Sequence, residues 1–163
     1  MGHMGGSQTS TQPTLIEGDR PSDYAGDVAV DEAWRVLQED SDAILIDVRT
    51  NAEWSFVGVP DMSATGKQLY CIEWQSFPTM NVNDDFAAST AKAIKEAGGS
   101  ESTNLFLLCR SGVRSRAAAI ALTQAGFRAA HNVAGGFEGD LNAERQRGRS
   151  NGWKAAGLPW RQN

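Results

Sequence analysis

The chain has 163 residues, 40% of them hydrophobic and 21% charged, with a formal net charge of −5. That balance is ordinary for a soluble globular protein, and the length buries a single core without disulfide or metal staples. The acidic surplus argues against a nucleic-acid partner, which requires a basic face.

Scarce residues narrow the chemistry further. Cys71 and Cys109 lie far apart and form no CxxC pair, so no disulfide framework is expected and a reducing, cytoplasmic setting is the default. His3 falls in "MGHMGGSQ", which reads as a vector-derived leader, and leaves His131 as the lone histidine of the fold. With so few ligands, no metal and no cofactor are expected. No apolar run approaches the about 20 residues of a membrane helix, so no membrane partner is expected.

In chain order, residues 1–23 are rich in Gly, Ser, Thr, Gln and Pro and read as a disordered tail, with one domain over 24–163. "DVAVDEAWRVLQED" gives a short strand and an amphipathic helix, with Asp31 as N-cap and Ala33, Trp34 and Leu37 on one face. Ala43–Ile46 is a continuous apolar run, the mark of a strand covered on both faces. "NAEWSFVGVP" reads as a short helix ended by Gly58 and Pro60. Lys67–Trp74 is a weaker strand between two loops of turn-forming composition. Asn83 or Asp84 caps a helix closed by Gly98 and Gly99. "NLFLL" is a second buried strand, "RSRAAAIALTQAG" a helix, and "FRAAHNVAGG" a fifth strand entering a double glycine. Beyond Glu138 follow a polar loop, a helical turn around Trp153, and Pro159 and Trp160 packing back. Strands alternating with helices imply βαβ units: an α/β fold with a five-stranded parallel sheet and helices on both faces.

The chemistry concentrates at "CRSGVR", between the strand residue Leu108 and the helix that follows. A loop entering a helix N-terminus points backbone N–H groups inward and adds the positive end of the dipole. Curved around Gly112, it forms an anion-binding nest. A thiol at the bottom of such a nest favours its thiolate. Arg110 and Arg114 stay protonated and suit recruitment of an anionic substrate. Arginines and a glycine in the next five positions do not suit a core, so Cys109 is read as a nucleophile.

"CRSGVRS" resembles the active-site loop of the rhodanese (sulfurtransferase) family. "LIDVRTNAEW" and "NVAGGFEGD" are similar to its flanking signatures, and the likeness covers Ala25 to Asp140. One departure is "GVPDMSA" where that family usually has Gly-His-Ile-x-Gly-Ala; another is the longer segment 66–83. The resemblance implies a three-layer α/β/α sandwich and persulfide chemistry. Cys109 would take sulfane sulfur from thiosulfate or a similar small anionic donor and pass it to a thiol, a cyanide-like acceptor or a protein acceptor. The amides of Arg110, Ser111, Gly112, Val113, Arg114 and Ser115 would stabilise the terminal sulfur, and Arg110 and Arg114 would steer the donor. A persulfide carrier serving a partner enzyme is the alternative. Phosphatases and arsenate reductases of related fold are disfavoured, because the phosphatase loop has five residues between Cys and Arg. Here there are four, and Ser115 stands at the phosphatase arginine position.

Other residues take supporting readings. Asp47 ends a buried strand and bonds loop amides, and Arg49 pairs with Glu53 four residues on; both are scaffolding. Cys71 reads as a core cysteine rather than a resolving thiol. Trp74, Phe77 and Met80 divide between pocket rim and core, and His131 is a satisfied structural histidine.

Overall fold

The computed structural model describes residues 12–16 and 23–162. The elements run β1 (Gly26–Val28), α1 (Val30–Glu39), β2 (Ile44–Asp47), α2 (Asn51–Phe56), β3 (Val59–Pro60), a 3-10 turn (Ser63–Thr65), β4 (Tyr70–Cys71) and β5 (Gln75–Ser76). They continue with β6 (Asn81–Val82), α3 (Phe86–Glu96), β7 (Leu105–Leu108), α4 (Val113–Gln124), β8 (Ala130–Val133) and β9 (Trp160–Arg161).

Five strands form one sheet in the order β1-β8-β7-β2-β4, every pairing parallel. Burial explains why apolar runs rather than alternating patterns build it. Ile44, Ile46, Leu105 and Leu107 pack with Phe86, Ile94 and Leu122 on one face. Leu45, Phe106 and Leu108 pack with Val36, Leu37 and Trp153 on the other. Both pleat faces are therefore dry, and α3 and α4 cover one while α1 and the C-terminal segment cover the other. This is the three-layer α/β arrangement with a five-stranded parallel sheet.

Local details differ from the sequence expectation in informative ways. Helix α1 starts at Val30 with Ala29 at the N-cap and no side-chain cap, so Asp31 lies inside the first turn. There its carboxylate accepts the Glu32 N–H, at 3.1 Å, and complements the helix dipole. Helix α3 starts after Asp85, and Asn83 organises the entry by accepting the Asp85 N–H on Oδ1 at 3.0 Å. The weak strand shrinks to Tyr70–Cys71, although Ile72 and Trp74 still donate to Asp47 O and Val48 O along the β2 edge. Within the segment read as a tail, residues 12–16 lie against the domain. Ile16 N–H donates to Asp27 O, Thr14 N–H donates to Glu32, and Leu15 packs against the α1 face. Residues 1–11 and 17–22 of that segment lie outside the described residues.

The C-terminal segment is structural. Trp153 is fully buried, stands edge-on to Trp34 at 5.6 Å, and donates Nε1–H to Pro159 O at 2.7 Å. Beyond it β9 pairs antiparallel with β3, Trp160 opposite Pro60. Among the described residues no helix is long and apolar enough to cross a membrane. Trp153→Ala empties the largest fully buried side chain and is expected to lower unfolding free energy by about 3–5 kcal/mol, read as a reduced midpoint in urea denaturation.

Candidate active site: a cysteine cradle at the sheet edge

Parallel strands present their carboxyl ends at one edge, where ligands of such sheets bind. The register aligns them: Asp47 lies opposite Leu108 on one side and Cys71 on the other, and Leu107 lies opposite Asn132. Cys109 is the residue after β7. It is 1% exposed and forms the floor of a cavity of about 800 Å³.

Two groups hold its sulfur. Gly112 N–H points at Cys109 Sγ at 3.1 Å, and the Ser115 hydroxyl lies at 3.1 Å. Gly112 is the N-cap of α4 with φ 114°, a left-handed conformation that a Cβ would strain. The next amides, of Val113, Arg114 and Ser115, open the helix and have no intrahelical acceptor. Of the loop residues expected around the sulfur, Arg110, Ser111, Val113 and Arg114 line the cavity with Cys109. Ser115 is buried beneath it.

A buried chain extends from Ser115. Its hydroxyl donates to Asn132 Oδ1 at 2.6 Å, and Asn132 Nδ2 donates to Asp27 Oδ1 at 3.0 Å. Tyr24 donates its hydroxyl to the same Asp27 oxygen at 2.8 Å. Burial, then the Asp27 hydrogen bond, push the Tyr24 phenol up to about 12. A carboxylate only accepts, so Asp27 fixes the Asn132 amide with its oxygen toward Ser115. Ser115 thereby directs its proton away from Cys109 and turns a lone pair toward the sulfur. Asn132 and Asp27 carry no local motif, and only the β1–β8 pairing brings them under the loop.

Arg114 and Glu53 form a two-pronged pair across the cavity, at 2.7 and 2.9 Å. Glu53 also belongs to the capping box of α2, accepting from Thr50 N–H and Oγ1–H while Thr50 Oγ1 accepts the Glu53 N–H. Burial alone raises the Glu53 carboxyl, but the Arg114 hydrogen bonds and charge outweigh it and hold it at about 2. The expected Arg49–Glu53 pair is therefore not formed. Arg49 instead pairs with Asp47 at 2.7 Å, both side chains fully buried, and donates to Gly58 O at 2.7 Å. Its guanidinium stacks on Phe137 at 4.3 Å. Helix spacing misleads here, because Arg49 precedes α2 and its side chain turns inward, where only a buried charge partner suffices. Asp47 accepts the Arg49 N–H rather than bonding the Cys109 loop.

The remaining residues separate cleanly. Phe77, Met80 and Glu138 line the cavity, whereas Trp74 packs edge-on against Phe86 at 5.3 Å. His131 is buried, stacks on Phe106, and places Nδ1 at 3.2 Å from Leu105 O; burial pushes its pKa down. Cys71 is not a core residue. It is exposed at the edge strand and lines a different cavity, beside Trp54 and Arg161. Crowding by surrounding protein, then the Asp47 charge, push its thiol up to about 12. Among the described residues no three His, Cys, Asp or Glu side chains converge as a metal site.

Fold and site together define an α/β protein with a buried thiol at a strand-to-helix turn, under an open cavity. Residues 25–163 match the STR4 middle domain family, and the chain belongs to that family. It is 34% identical over 129 residues to an uncharacterised protein of Rickettsia rickettsii, covering 79% of this chain and 91% of that protein. A second uncharacterised protein, from Rickettsia conorii, is 33% identical over the same length. The crystal structure of Rv0390 from M. tuberculosis is 43% identical with a TM-score of 0.76, covering 86% of this chain and 99% of that one. A polysulfide-sulfur transferase homodimer from Wolinella succinogenes shares the fold at 20% identity and a TM-score of 0.50, over 84% of this chain and 78% of that one.

Two outcomes follow from this geometry. Glu53 lies at about 2 in the fold against an ordinary value of 4.5, so its stabilisation is present above pH 4.5 and is lost as pH falls from 4.5 towards 2. Melting temperature should fall over that window, and Glu53→Gln should flatten the fall. Asn132→Leu strands Ser115 and Asp27 without their shared partner, and chemical denaturation should show a loss of about 1–3 kcal/mol.

Proposed function

We propose that the chain is a rhodanese-like sulfurtransferase that carries sulfane sulfur as a persulfide on Cys109, within a domain spanning 24–163. The observation that carries the reading is the seat of Cys109 Sγ. It sits at the floor of an open cavity, 3.1 Å from Gly112 N–H, in a loop with four residues before Arg114. A loop one residue shorter than the phosphatase pattern favours a small sulfane sulfur over a tetrahedral phosphate.

The chemistry balances with this chain's groups. The Cys109 thiolate attacks the outer sulfur of thiosulfate. The donor S–S bond breaks, its electron pair leaves on sulfite, and Cys109 retains a terminal sulfur anion. Gly112 N–H and the opening amides of α4 stabilise that anion as an oxyanion hole would. An acceptor thiol or cyanide-like nucleophile then attacks the terminal sulfur and returns Cys109 to the thiolate. The fold shared with a polysulfide-sulfur transferase supports the same class of chemistry.

Phosphoryl chemistry is the poorer reading. A phosphatase needs a protonated acid at the leaving group, and Glu53, beside the loop, is tied to Arg114 and held at about 2. It is ionised at neutral pH and carries no proton to give.

Incubation with thiosulfate followed by intact-mass measurement should show one added sulfur atom, removable by cyanide and absent in Cys109→Ser. No adduct, or one that survives in Cys109→Ser, overturns the proposal.

A further inference from the structure

Beneath the cysteine loop, the Ser115 hydroxyl has one proton and two neighbours able to accept it. Asn132 Oδ1 lies at 2.6 Å and Cys109 Sγ at 3.1 Å. All three residues are buried, so the choice is made inside the protein.

Asp27 makes it. Its Oδ1 accepts Asn132 Nδ2–H at 3.0 Å and the Tyr24 hydroxyl at 2.8 Å. A carboxylate has no proton to give, so the Asn132 amide cannot turn round without setting oxygen against oxygen. The Ser115 proton is thereby committed to Asn132, and a hydroxyl lone pair faces the sulfur.

That arrangement treats the states of Cys109 unequally. A thiol donates S–H to the Ser115 oxygen and accepts Gly112 N–H at 3.1 Å, leaving nothing unmet. A thiolate sets its charge against the lone pair, or takes the Ser115 proton and strands the buried Asn132 oxygen. A persulfide escapes both costs. Its charge sits on the terminal sulfur, about 2 Å from the inner one, and the inner sulfur carries no formal charge. The amides opening α4 favour an anion at either sulfur, whereas Ser115 opposes one at the inner sulfur alone.

Other charges surround Cys109 without setting this direction. Arg110 and Arg114 come from its own loop, Glu53 from α2 and Glu138 from the turn after β8. Asp47, at the end of β2, is paired with Arg49. At the far end of the chain, Asp23 and Arg116 act on Tyr24. Among the described residues none of these groups bonds Ser115 or Asn132, and Asp27 orients both.

We infer that Asp27, acting through Asn132 and Ser115, is a positioning residue that weights Cys109 toward its sulfur-loaded state. The inference rests on the persulfide chemistry proposed for Cys109 and adds a direction to it. Cys109 thiolate and thiosulfate exchange for Cys109 perthiolate and sulfite, one sulfur moving with total charge unchanged. Only the thiolate side meets the Ser115 lone pair, so the balance lies toward the perthiolate. Discharge to an acceptor makes the thiolate the leaving group, and the same contact slows it.

The test uses a Cys71→Ser parent, which lacks the exposed second thiol. Alkylation of Cys109 by iodoacetamide is followed against pH by intact mass. Asp27→Asn supplies a donor at position 27, which lets Asn132 turn Nδ2–H to Ser115 and releases the Ser115 proton to the sulfur. Ser115→Ala removes the lone pair outright. Each should move the pH midpoint of alkylation down by about one unit, a tenfold gain in thiolate share. Tyr24→Phe takes a donor from Asp27 but leaves Asn132 oriented, and should keep the midpoint while lowering stability. At alkaline pH, with sulfite and thiosulfate at a fixed ratio, the loaded-to-free ratio should drop about tenfold in Asp27→Asn. Midpoints that stay or rise in both variants overturn the inference and leave persulfide chemistry intact; a rise is the result if Ser115 donates to the thiolate. Lowered midpoints with an unchanged loading ratio overturn it equally. No sulfur addition to the parent overturns both readings.

Discussion

Three backbone hydrogen bonds hold the site together. The amide of Phe137 donates to Cys109 O at 2.7 Å, and those of Glu138 and Gly139 donate to Arg110 O at 3.0 Å each. They bind the turn after β8 to the first two residues of the cysteine loop. The approach is so close that a Cβ on Gly136 would stand 2.5 Å from Cys109 O, inside any permissible contact. Only glycine lets the two segments meet, and only this meeting satisfies carbonyls that a buried loop would otherwise leave unpaired. The shape of the cradle is therefore set from outside the cradle, by a turn more than twenty residues further along.

Charge is organised with the same economy. Arg49 reads along the chain as a partner for Glu53, yet it is fully buried and braced instead by Asp47, Gly58 O and the Phe137 ring. Removing either charge of such a pair would leave the other stranded in the interior, which is why both read as scaffold. Arg114 faces the cavity but is bound to Glu53, so it shapes the wall and locks α2 to α4. Of three arginines near the sheet edge, two are structural by geometry. A neutral cavity with an apolar side follows from that arrangement, and a count of basic residues would have suggested the opposite.

The architecture was legible because its strongest signals are local. "AILI" and "LFLL" are apolar without alternation, and a strand needs that composition only when both faces are covered. "CRSGVR" announces its role through types that do not belong together in a core: a thiol, a glycine and two guanidiniums. Where reading by position failed, the reason was also local. Asp31 was expected to cap α1, but the chain already enters the helix at Val30, so that the carboxylate serves the first turn. Cys71 looked like a core residue, but its strand is only two residues long and lies at the sheet edge.

By itself the sequence determined the fold class, the cysteine-bearing turn and the glycine that shapes it, because these depend on residue types within a few positions of one another. Tertiary structure alone decided which charges are free, which carboxylate anchors Arg114, and which side chains reach under and over Cys109. Asp27, Asn132, Glu53, Phe77 and Glu138 come from separate elements. Their meeting at one edge follows from the parallel register of the sheet and the clamp at Gly136, neither of which any short stretch of chain encodes.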